Sequence, residues 1–131
     1  MAARELALRV LDADRAAALE RICELIVPGS SAVGPAVYID ALLARMPDEP
    51  RGQALASIAA LEAPAGAGVD ALAERQFTPE FMMIRALACE AYYSDFVAPG
   101  RGAPGAWAQI GFDPPAAAYL RKDWSYLGIE A

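Results

Sequence analysis

The sequence predicts an all-α fold, a small bundle of about five helices with an irregular, aromatic-rich C-terminal segment. Apolar residues recur at i, i+3, i+4 and i+7 through most of the chain, and residues that start and stop helices bracket those stretches. No run of clear alternating period appears, and there is no internal repeat. With 131 residues the chain has the length of a single domain, 1–131, burying one modest core.

Asp12 can cap the first helix, with Asp14 in its first turn at the positive end of the helix dipole. Leu19, Ile22, Cys23 and Ile26 then form one apolar stripe, and Pro28-Gly29 stops the helix. A second helix starts near Pro35, a residue suited to the first helical turn. It carries Ile39, Leu42, Leu43 and Met46 at the same spacing, and Pro47 and Pro50 close it. A third covers Arg51–Leu61 with Leu55, Ile58 and Leu61 on its apolar side, followed by "APAGAG" (63–68) as a loop and a short helix at Val69–Arg75. The strongest helix lies in "FTPEFMMIRALACEAYYSDF" (77–96). Thr78 is its N-cap, Pro79 its first residue and Glu80 its acidic first-turn residue. Phe81, Ile84, Leu87, Ala88, Ala91 and Tyr92 give it a broad apolar face, which places it at the centre of the bundle. Pro99-Gly100 ends it, a loop runs through Gly105, and Asp113-Pro114 can open a last short helix carrying Tyr119 and Leu120.

The apolar fraction of 56% is swollen by alanine, and the charged fraction of 21% argues against a disordered chain. The net charge of −6, with no basic cluster beyond Arg121-Lys122, argues against nucleic acid and anionic membrane surfaces as partners. The chain has no histidine, which removes Ser-His and Cys-His nucleophile pairs, histidine metal sites and histidine-ligated haems. Two cysteines, Cys23 and Cys89, form no CxxC motif; they suit two buried thiols, with one disulfide between them as the alternative. The apolar window 54–73 is broken by Glu62, Pro64 and Asp70, so it does not supply the roughly 20 clean residues a membrane span needs. "RGAPG" (101–105) lacks the Lys-Ser/Thr of a phosphate-binding loop and suits a plain turn. The carboxylates Glu90 and Asp95 suit a solvated face better than an acid–base pair.

"APGAWAQIGFDPP" (103–115) puts large apolar side chains into a segment that proline and glycine keep from forming a long helix. Trp107, Ile110, Phe112, Tyr119, Trp124 and Tyr126 fall within twenty residues. They can close over the chain's own core or face a partner, since Trp and Tyr concentrate at interface hot spots.

"AYYSDFVAPGRGAPGAWAQIGFDPP" resembles the signature of the gluconate 2-dehydrogenase subunit 3 family, small subunits of bacterial dehydrogenase complexes. The resemblance rests on Tyr92-Tyr93, Ser94-Asp95, the loop 99–105, Trp107, Ile110-Gly111-Phe112 and Pro114. "LDADRAAALERICELIVPGSSAVGPAVYIDALL" is similar to the family's opening: a capped helix, Ile-Val-Pro, a Gly-containing loop and a helix ending in paired leucines. The loop departs from the family's common Tyr-Gly-Gly-Asn, and Ala106 stands where glycine often precedes the tryptophan.

The resemblance implies a non-catalytic subunit that binds and stabilises an FAD-dependent large subunit of the glucose–methanol–choline (GMC) class, oxidising a sugar, sugar acid or other alcohol. FAD would sit in that partner, with no cofactor, metal or catalytic residue in this chain, and a cytochrome c is a candidate electron acceptor. The expected interface is Tyr93, Trp107, Ile110, Phe112, Tyr119, Trp124 and Tyr126, with Trp107 and Phe112 as anchors. "MAARELALRVLDADRAAALER" has neither an apolar signal core nor a twin arginine, which favours a cytoplasmic complex, or a periplasmic one if a signal has been removed. The alternative is a free-standing helical domain with its own small-molecule pocket.

Overall fold

The computed structural model describes residues 7–112 and 124–129, and over these it is all-helical, with no strand. Asp12 accepts the Arg15 N–H at 2.7 Å and opens α1 (Ala13–Ile26) as its N-cap. Leu19, Ile22 and Cys23 of the expected stripe are fully buried, and Ile26 is half-buried. A 3₁₀ turn (Ser30–Val33) leads through Gly34 into α2 (Pro35–Arg45).

α3 runs over Asp48–Ala67 and corrects two boundaries. Pro50 lies in its first turn, where a missing N–H costs nothing, instead of closing α2. The last carbonyls of α2 are instead satisfied by Arg51, whose guanidinium donates to the carbonyls of Leu43 (2.8 Å), Met46 (2.7 Å) and Ala44 (3.3 Å). Residues 63–67, expected as loop, continue the helix through Pro64. Pro64 removes one backbone bond at an exposed stretch, and Leu61 and Ala65, buried against the core, hold the turn around it.

α4 (Val69–Ala73) is short and buries Leu72. α5 (Pro79–Tyr93) has the expected cap, Thr78 accepting the Phe81 N–H at 3.3 Å. It packs against α1, α2 and α3, so its central place in the bundle holds. Ile84, Leu87, Ala88, Ala91 and Tyr92 form its buried face, with Phe81 half-buried at the edge. A short helix that the sequence pattern does not show, α6 (Ala106–Ile110), follows the proline- and glycine-rich loop. A 3₁₀ turn (Ser125–Leu127) seats Leu127 in the core. The helix expected from Asp113, with Leu120, lies outside the described residues.

The two ends of the described chain are joined through a buried carboxylate. Asp40, on the inner face of α2, accepts the N–H groups of Arg9 (2.8 Å), Val10 (2.9 Å) and Leu11 (2.9 Å). The Arg9 side chain in turn donates to the carbonyls of Leu127, at 3.1 Å, and Gly128. Asp40→Ala orphans three N–H groups at once and is expected to lower stability by about 2–4 kcal/mol, with Asp40→Asn losing less, in urea unfolding.

Cys23 and Cys89 are unbridged, the first buried and the second half-buried. Burial pushes the Cys23 thiol up to about 12, helped by the nearby Glu20. Ellman's reagent is expected to titrate Cys89 in the folded protein and Cys23 only after unfolding; a chain with no reactive thiol until reduction would contradict this.

Candidate protein-interaction site

The site is built where α5 ends. Tyr92 turns inward and Tyr93 outward, their rings meeting edge to face at 5.0 Å. Asp95 then takes a left-handed backbone conformation (φ 64°), tolerable for Asp, and reverses the chain. Its buried carboxylate reaches the start of α6, where the N-cap Gly105 offers no side chain, and Oδ1 accepts the Trp107 N–H at 3.1 Å. The Trp107 indole N–H donates to the Tyr93 carbonyl at 2.8 Å. The Tyr92 hydroxyl bonds to Gln109 Oε1, and Gln109 Nε2 donates to the Pro104 carbonyl at 3.3 Å. A five-residue helix is too short to persist alone; these bonds fasten it to the end of α5.

Gly111, in the left-handed conformation, turns the chain so that the Phe112 N–H reaches the Trp107 carbonyl at 2.8 Å. The rings of Trp107 and Phe112 then meet edge to face at 5.4 Å. Around the half-buried Trp107, Tyr93 is 48% exposed, Ile110 58% and Phe112 49%. The structure therefore gathers Tyr93, Trp107, Ile110 and Phe112 at one end of the bundle.

Trp124 and Tyr126 belong to a second aromatic group. Trp124 packs on Phe96 (5.5 Å) and Tyr38 (6.5 Å), both fully or nearly fully buried, and is itself half-buried against the core. Tyr126 lies outside it, 6.5 Å from the Trp124 ring and 54% exposed. Tyr119 lies outside the described residues. An exposure that the sequence reading missed sits at the start of α5, where Phe77 is 86% and Met82 58% exposed. Their positions, just before the N-cap and one turn into the helix, are those of a hydrophobic staple, which is the signal that marks them.

The other candidate groups have structural partners. Glu90 accepts the Tyr38 hydroxyl at 3.0 Å, and burial, with bonds to Tyr126 and Glu90, holds that phenol well above its ordinary value, neutral. Asp95, expected with Glu90 on a solvated face, is instead buried and accepts the Trp107 N–H, while Glu90 is exposed. Among the described residues no group of three or more Cys, Asp or Glu could hold a metal ion, and no helix is long and apolar enough to cross a membrane. Arg101 is engaged within the chain. Its guanidinium turns inward to the Ser31 carbonyl (3.1 Å) and Glu20 (3.5 Å).

Glu20 and Arg101 both line an open groove of about 1080 Å³, together with Leu11, Ala16, Ala17 and Val37. Glu20 Oε1 also accepts the Ala36 N–H at 3.3 Å, capping α2 from outside because Gly34 cannot. Glu20 Oε2 is buried without a partner.

Burial raises the Glu20 pKa from its ordinary 4.5, against the pull of Arg101 and the Ala36 N–H. A carboxyl that holds its proton more tightly folded than unfolded contributes stability below its unfolded value, and loses it as pH rises through the folded one. Glu24, one turn on, behaves oppositely. Bonds from Ser31 and Gly29 lower its pKa, so its contribution is present at neutral pH and lost as pH falls. Relative to the parent, Glu20→Gln is expected to lose less stability from roughly pH 5 to pH 7, measured as urea midpoints across that range.

Compared with family models, curated proteins and solved structures, the chain finds no match in any of the three.

Proposed function

We propose that this chain is a non-catalytic interaction subunit that binds and stabilises an FAD-dependent GMC-class dehydrogenase large subunit. The observation that carries the proposal is the apolar cluster at the end of α5. Tyr93, Ile110 and Phe112 are exposed around Trp107 on a short helix held by hydrogen bonds. Exposed apolar groups on a fixed backbone lose little conformational freedom when a partner covers them. A stable heteromeric interface of about 2,000 Å² in total needs a cluster of this kind at its centre. The resemblance of this same stretch to the subunit 3 signature supplies the class of partner. The absence of histidine fits a chain that leaves the chemistry to that partner's flavin.

The groove beside Glu20 and Arg101 favours a second reading, a free-standing domain holding a small molecule with an apolar body. The two differ in the company the chain keeps. The interaction reading expects poor solubility alone and a flavin-coloured complex on coexpression with the product of the neighbouring gene. The pocket reading expects a well-behaved monomer with no such complex.

For the interaction reading, Trp107→Ala is expected to lower co-purification of the flavoprotein roughly tenfold or more, as hot-spot truncations do. The helical signal in far-UV circular dichroism should stay close to the parent. Equal loss of helicity and capture would show that Trp107 serves the core instead.

A further inference from the structure

Gly105 is required by its neighbour and not by its own backbone. Its φ of −71° and ψ of 171° are open to any residue. A Cβ at this position would lie 2.0 Å from Asp95 Oδ1 and 2.7 Å from Asp95 Cγ, which no packing adjustment of a distant side chain relieves. Asp95 is itself unusual. It is 5% exposed, and it is the non-glycine residue with positive φ among those described. The carboxylate that excludes a side chain at 105 is the one that holds the Trp107 N–H.

We propose that Asp95 and Gly105 form a matched lock that sets the direction of the Trp107 ring, and with it Phe112, before any partner arrives. Asp95 is a positioning residue: it is buried and acts through the backbone of α6. This rests on the interaction reading for its purpose, but the geometry of the lock is tested separately. The carboxylate fixes where α6 begins, the missing side chain at 105 lets the chain approach it, and the indole N–H then reaches the Tyr93 carbonyl. A surface fixed in this way binds without first ordering itself.

The test uses the full chain with Gly105→Ala, Asp95→Gly, Asp95→Asn and the double variant Asp95→Gly/Gly105→Ala. Asp95→Gly keeps the positive φ accessible while deleting the carboxylate, so it separates the lock from backbone strain. One readout is the ¹⁵N–¹H resonance of the Trp107 indole, assigned by its loss in Trp107→Phe. The second is capture of the coexpressed flavoprotein. Gly105→Ala is expected to shift the indole resonance, speed its hydrogen exchange and weaken capture roughly tenfold while helicity is kept. Asp95→Asn, which keeps an acceptor oxygen and tolerates positive φ, should restore both readouts. In the double variant the alanine should add much less to Asp95→Gly than it does to the parent, because the carboxylate it collides with is gone and only the carbonyl oxygen of residue 95, 3.1 Å away, still crowds it. Additive effects, or an indole resonance unmoved in Gly105→Ala, would overturn the lock. If Trp107→Ala leaves capture unchanged, the interaction reading fails and the indole data alone decide the lock. If Trp107→Ala abolishes capture and Gly105→Ala does not, the lock fails and the interaction reading stands.

Discussion

The fold depends on the packing of α5 against three other helices at once. A helix can do this only where its buried face is partly made of small residues, and Ala88 and Ala91 are both fully buried on it. They let neighbouring helices approach while Ile84 and Leu87 fill the gaps between them. In a chain of 131 residues with so much alanine, a few large side chains from each element must share one centre. The first 3₁₀ turn and α6 also rest on α5, and α6 with its loop continues from the end of α5.

Carboxylates complete the backbone where the apolar packing leaves it open. Both α2 and α6 begin with a glycine that cannot cap its own helix, and in each case a distant acid takes over: Glu20 for α2, Asp95 for α6. Each glycine is also a point of close approach. A side chain at Gly34 would meet Ala98 Cβ at 2.8 Å, as one at Gly105 would meet Asp95. The two features go together, since a residue with no side chain both forgoes its own cap and admits a neighbour. Asp40 applies the same chemistry to a segment with no helix, holding residues 9–11 by their N–H groups. Part of the chain's acidic balance is therefore internal architecture and not surface charge.

What the sequence disclosed follows from how local the deciding interactions are. The starts of α1 and α5 were legible because Asp12 and Thr78 bond within three residues of themselves. The apolar stripes of α1, α2 and α5 were legible for the same reason, as a 3.6-residue period is a property of one segment. The passage of α3 through Pro64 was not, since it depends on Leu61 and Ala65 meeting other helices. Nor was α6, whose bonds come from Tyr92, Tyr93 and Asp95 more than ten residues away. Composition showed that the C-terminal third carries many aromatic rings, but only the folded contacts separate Trp124, packed on Phe96, from Phe112 and Tyr93 at the surface. Asp40 left a trace, a carboxylate in register with Ala36 and Leu43 on the apolar side of its helix, though what it holds lies some thirty positions away.

The Arg9 side chain grips carbonyls 118 and 119 positions further along the chain. On a ribosome, α1 to α5 can be complete while residues 124–129 are still inside the exit tunnel, with the seat for Leu127 unfilled. Loop closure over such a separation is slow and comes after local helices have formed. The nascent domain thus carries an open apolar socket from the completion of α5 until residues 124–129 emerge, and the hydrophobic interior closes only then.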